Sequence, residues 1–240
     1  METHENLYEK IRELLGGSPG SYSVLEHQID MDLQMEYHEC SRKLNAEVDE
    51  QWAMDQIQYL KEPGYSNEVK KNILARLATI ERVECYRAIE SYLEVADESL
   101  RDWTLLSLNE SRMQIESKIL GESQVFISTG LGGRENKLRY FLVLISRMHE
   151  KLTPTQRKVI RNEFEFILQK YDSEIEEIRF FGYLCSVLLL MPIHHSLNMV
   201  IQEAVSECNY YGNFLGDDFI VTNVKTLSFQ EIRDFIERKT

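Results

Sequence analysis

Apolar residues recur at helical spacing through the first half of the chain and gather into short, dense runs in the second. Leu7, Ile11, Leu14 and Leu15 mark one helical face before the G-G-S-P-G break at residues 16–20. Leu25, Ile29, Leu33 and Tyr37, four apart, predict a helix from about Ser23 to Cys40. Leu44, Val48, Trp52 and Ile57 or Tyr59 predict another from about Lys43 to Lys61, ended by Glu62-Pro63-Gly64. Trp52 and Trp103 both fall on predicted inward stripes and are expected to pack in cores.

After Gln124 the pattern changes. V-F-I-S-T (125–129) and L-R-Y-F-L-V-L-I-S (138–146) are dense in β-branched and aromatic residues and predict strands. Thr153-Pro154-Thr155-Gln156 has the form of a capping box with proline at the first helical position, so a helix follows. I-E-E-I-R-F-F and Y-L-C-S-V-L-L-L-M, split by Gly182, predict a hairpin, with one long helix over 174–191 as the alternative. A helix from Ser196 to Tyr211, a strand at 219–225, and a helix opened by Ser228-Phe229-Gln230-Glu231 complete the chain. From Leu138 the order is β-α-β-β-α-β, the split βαβ order of ferredoxin-like domains.

A shift of 31 positions lays Val69-Lys70 on Leu100-Arg101, Leu74 on Leu105, and Leu77 on Leu108, with Ser66 and Asp97 as caps. D-E-S-L-R-D-W-T-L-L-S-L (97–108) resembles the first helix of a HEAT repeat of the phycobilisome-lyase type, its partner helix falling at 113–120. The resemblance covers residues 66–120, two repeats, and implies a stack of helix pairs that binds protein. T-G-L-G-G-R-E-N-K-L-R-Y-F before the β-α-β-β-α-β run resembles uncharacterised bacterial proteins joining such a stack to a ferredoxin-like module. The expectation is thus an α+β chain, with a HEAT-like helical domain at 1–121 and a ferredoxin-like βαββαβ domain at 122–240.

Charge adds a constraint. The net charge is −13, and residues 1–62 hold fourteen Asp/Glu against five Lys/Arg. An acidic surface repels phosphate backbones and anionic lipid, so neither nucleic acid nor membrane is an expected partner. Cys40, Cys85, Cys185 and Cys208 form no C-x-x-C pair, as in a reducing compartment. The first ten residues carry neither a basic start nor an apolar run, so a cytoplasmic protein is expected.

Candidate chemistry is sparse. Gly130, Gly132 and Gly133 stand beside Thr129, Arg134, Lys137 and Arg139, which could form an anion nest with flanking charge. The spacing matches neither a phosphate-binding loop opening a helix nor a dinucleotide fingerprint, since a strand follows. A glycine turn between strands, with the glycines supplying positive φ, is the expected structure, and anion binding the alternative. His194-His195 point apart on a helix and could cap the one that follows; no metal ligand set, cofactor motif or nucleophile elbow is readable. Glu174, Glu176 and Glu177 read as a solvated edge. An aromatic stripe with basic residues, the mark of ferredoxin-like RNA readers, is missing from the linear sequence. The expected function is therefore a non-catalytic interaction scaffold with a protein partner or a second copy. A small-ligand sensor using the 129–139 loop is the alternative, and an enzyme ranks last.

Overall fold

The computed structural model describes residues 22–45, 49–121 and 125–239. The helix expected at 5–15 lies outside them. The chain is α+β and divides into two compact units, residues 29–126 and residues 127–240 together with those up to 28.

The first unit holds α1 (Met31–Asn45), α2 (Glu50–Gln56), a 3-10 turn (Ile57–Lys61), α3 (Asn67–Ala78), α4 (Val83–Leu93) and α5 (Glu98–Leu120). Two expected helices begin or end elsewhere because side-chain caps decide the boundaries. Residues 22–24 are a strand, β1 (Tyr22–Val24), and α1 starts only after Asp30, whose Oδ1 accepts the Asp32 N–H at 2.9 Å. The expected 43–61 helix is divided: Asp49 caps α2 by accepting the Trp52 N–H at 3.0 Å. Trp103 is buried as expected and donates its indole N–H to the Lys71 carbonyl at 3.0 Å. Trp52 is not; it is 42% exposed, with the Arg76 guanidinium 5.0 Å above its ring.

The larger correction concerns the repeat. Residues 98–120 form one continuous helix rather than two. Nothing between Glu98 and Leu120 is glycine or proline, and the Asn109 side chain donates back to the Leu105 carbonyl at 2.8 Å without breaking the helix. Only Gly121, at φ 67°, stops it. The second helix pair that a HEAT-like stack requires is therefore absent.

The second unit is built on an antiparallel sheet. Its elements are β3 (Gly133–Arg134), β4 (Lys137–Ser146), α6 (Pro154–Lys170), β5 (Glu174–Phe181), β6 (Leu184–Pro192), α7 (Leu197–Tyr210), β7 (Leu215–Thr222) and α8 (Phe229–Lys239). The strands run β3-β4-β6-β5, with β7 also paired to β4. The short strand β2 (Val125–Ile127) stands apart; Ile127 accepts the Leu25 N–H at 2.9 Å. The Thr153–Gln156 capping box opens α6 as expected, and Ser196, rather than the histidines, caps α7.

Strand alternation assigns the two faces. On β4 and β6, Leu138, Tyr140, Leu142, Leu144, Cys185, Val187, Leu189 and Met191 point one way, and all are buried. Helices α6 and α7 pack on each other and on the sheet, supplying Ile160, Phe164, Ile167, Val200, Ile201 and Ala204 to that core. The opposite face carries Phe141, Val143, Leu184 and Ile220, which cluster with Leu131 and with Ile232 of α8. Among the described residues no helix is long and apolar enough to cross a membrane.

Candidate functional site

The glycine loop is held by close backbone approach. A Cβ on Gly130 would lie 1.9 Å from the Val224 carbonyl oxygen, and one on Gly133 2.1 Å from that of Lys137. Of the loop glycines only Gly132 has positive φ, 65°. The hairpin turn itself is Glu135-Asn136, both at positive φ (50° and 67°), between Arg134 and Lys137. The Thr129 hydroxyl donates to the Gly132 carbonyl at 3.2 Å.

The loop cations face carboxylates. Arg134 binds Glu174, and Lys137 reaches Asp172 at 3.1 Å and Glu174 at 2.8 Å. Arg139 donates to Glu176 at 2.5 and 2.9 Å and to the Leu131 carbonyl at 2.7 Å. The Lys137 contact leads the causes that hold the Glu174 carboxyl below its ordinary pKa. Glu174 and Glu176 stand two apart on β5, and the bulge between Ile175 and Glu177 turns Glu177 to the face of Glu174 as well. An incoming anion would have to displace those carboxylates.

A different place on the same face is concave. A cavity of about 360 Å³ lies between the sheet and the start of α8, lined by Phe141, Glu177, Arg179, Phe181, Leu188 and Phe229, among others. The register explains the convergence. Glu177 lies opposite Leu188, which lies opposite Phe141; Arg179 lies opposite Ser186, and Phe181 opposite Leu184. All share the face that α8 partly covers. Ser228 and Glu231 cap α8 reciprocally, at 2.8 and 3.3 Å, and so fix Phe229 at the rim. Phe181 and Phe229 are 46% and 50% exposed, large apolar rings left half in water. Arg179 donates its Nε to Glu177 Oε1 at 2.6 Å. The aromatic grouping that linear order hides is therefore present: Phe141, Phe181 and Phe229 come from three elements, and the residues between them conceal it.

Other reactive groups are closed off or structurally engaged. Burial pushes the Cys185 and Cys208 thiols up to about 12, which leaves them inert at neutral pH. The His194 and His195 rings lie 4.2 Å apart, and His195 also meets the Tyr171 ring edge-on. Burial first, then His194, lowers the His195 pKa. Among the described residues no three His, Cys, Asp or Glu side chains are placed to hold a metal ion.

No family model matches this chain, and no curated protein matches it. Solved structures do. One is a protein of Deinococcus radiodurans R1 assigned as a transposase: 15% identity over 45% of this chain and 94% of that one, TM-score 0.38. Another is a REP-associated tyrosine transposase bound to a REP hairpin: 12% identity over 43% of this chain and 63% of that one, TM-score 0.33. These neighbours are transposases and not helical-repeat proteins. With the unbroken α5, they overturn the HEAT-like reading and the kinship to stack-plus-module bacterial proteins. The non-catalytic scaffold, its sensor alternative, and the partner set of protein or second copy without nucleic acid fall with them.

Proposed function

We propose that the second unit binds single-stranded nucleic acid on its open sheet face, a base resting in the cavity against Phe181 and Phe229. The observation that carries this reading is the cavity itself. Its volume lies in the range of small-ligand pockets. Two half-exposed aromatic rings offer stacking surface, worth ~1–3 kcal/mol per base. The β7-β4-β6-β5 order, with α6 and α7 on one face and α8 covering the other only in part, supports a split βαβ platform of the ferredoxin-like kind with an accessible working face. The acidity of the chain then has a consequence: phosphate contacts contribute little, so affinity falls only weakly with salt.

The test is fluorescence anisotropy of a labelled single-stranded 12-mer, titrated between 50 and 200 mM salt at the order-of-magnitude range where phosphate binders lose most affinity. The wild type binds with a shallow salt slope, and Phe181→Ala and Phe229→Ala each weaken it about tenfold or more. Equal binding by wild type and both variants would sink the reading, as would no binding at all.

For the glycine loop we propose a structural role, supported by its backbone contacts and paired cations. We place the chain in the cytoplasm; four unpaired thiols support a reducing compartment. A division near residue 122 remains a working proposal, suggested by the change from helical to strand periodicity there.

A further inference from the structure

We propose that the open-face cavity selects guanine among the four bases, through Glu177 and Arg179; this rests on the single-strand reading above. The two side chains stand two residues apart on β5 and line the same cavity wall. Their mutual bond uses one atom from each: Arg179 Nε and Glu177 Oε1. Among the described residues no other partner engages the Arg179 terminal amino groups or Glu177 Oε2. The wall therefore presents guanidinium donors beside a carboxylate acceptor.

The pair is also available. Its side chains are 62% and 46% exposed, and an ion pair that open to water contributes little to stability, ~0–1 kcal/mol. It differs in this from the Arg139–Glu176 pair on the same face, which is 17% and 20% exposed and also ties Leu131. Re-aiming Glu177 and Arg179 toward a ligand breaks nothing that the sheet depends on.

Base chemistry then decides. Guanine carries N1–H and N2–H donors side by side, a match for a carboxylate, with the O6 acceptor next in line for a guanidinium. Adenine has no N1–H, so a carboxylate oxygen would face a lone pair. Cytosine sets one amino donor beside acceptors, and thymine sets one imide N–H between two carbonyls. Either pyrimidine would leave a carboxylate oxygen without a donor. A ring the size of a purine also covers more of Phe181 and Phe229.

The experiment uses nine-residue single strands of thymidine with guanine, adenine, cytosine, thymine or hypoxanthine at the centre, titrated against the full chain by anisotropy. The guanine strand binds roughly tenfold tighter than the other natural bases, the discrimination of a good two-bond base contact. Hypoxanthine, which lacks the N2 amino group, loses part of that preference. Glu177→Gln removes the preference, read as the ratio of affinities between the guanine strand and the others rather than as the affinity for any one strand. Equal affinity for the four strands with natural bases overturns the guanine assignment while the single-strand reading stands. No binding to any strand overturns both. Retained guanine preference in Glu177→Gln assigns discrimination elsewhere and overturns the role given to this pair.

Discussion

The two faces of one sheet differ more than any two strands in it. One is sealed beneath α6 and α7, with Leu142, Val187 and Leu189 at zero exposure. The other alternates apolar residues with Arg139, Ser186, Glu177 and Arg179, under a single short helix that reaches it through Ile232 and Ile236. The contrast teaches how a small unit separates its tasks. The sealed face supplies the burial that folding needs, which frees the other to leave aromatic rings and hydrogen-bonding groups in water.

The strongest way to break the contrast is to open the sealed face. Phe164→Ala removes a side chain with no exposure and should cost ~3–5 kcal/mol, read as a fall in the urea midpoint at unchanged slope. Gly130→Ala strikes the loop that buttresses the open face. Its Cβ would meet the Val224 carbonyl, and forced backbone movement of that kind costs ~1–3 kcal/mol; an unchanged melting temperature would remove the close-approach argument. Thr153→Ala deletes half of a capping box at the edge of the sealed face, for ~1 kcal/mol by the same unfolding measurement. Phe229→Ala sharpens the comparison from the other side: stability shifts by less than about 0.5 kcal/mol, as for exposed positions, while strand binding falls.

The smallest effect concerns acid. Lys225 first, then the Ser228 backbone and hydroxyl, hold the Glu231 carboxyl down to about 2. A carboxylate depressed on folding stabilises the folded form above its unfolded pKa, and that contribution fades as pH drops through the folded value. The capping of α8 should therefore hold at pH 5 and loosen between roughly pH 4.5 and 2, before the sealed face responds. Amide exchange across 229–239, followed against pH, checks it. Simultaneous loss of protection in α6 would remove the distinction.

Much of the sealed face was legible, because burial on one side writes itself as periodicity. The alternation of β4, the apolar run of β6 and the capping boxes at Thr153 and Ser228 each carry a local signal. The helical unit was less legible. A 31-residue echo between Leu74 and Leu105 suggested two repeats, yet no residue between Leu108 and Met113 breaks a helix. The cavity was illegible for a different reason. Phe181 and Phe229 are 48 positions apart and meet only because α8 folds back over the sheet, so no window of sequence holds both. Trp52 shows the converse: its spacing fits an inward stripe, but the helix restarts at Asp49 and the ring lies 42% exposed.

The bulge at Glu176 has a further effect. Strand β5 borders the sheet, and a border strand offers unpaired amides and carbonyls that a neighbouring molecule can extend. Here the irregular spacing and the charged side chains from Glu174 to Arg179 interrupt that template, so a strand laid along this rim meets misaligned amides. The same residue that receives Arg139 thus also interrupts the regular edge of the sheet.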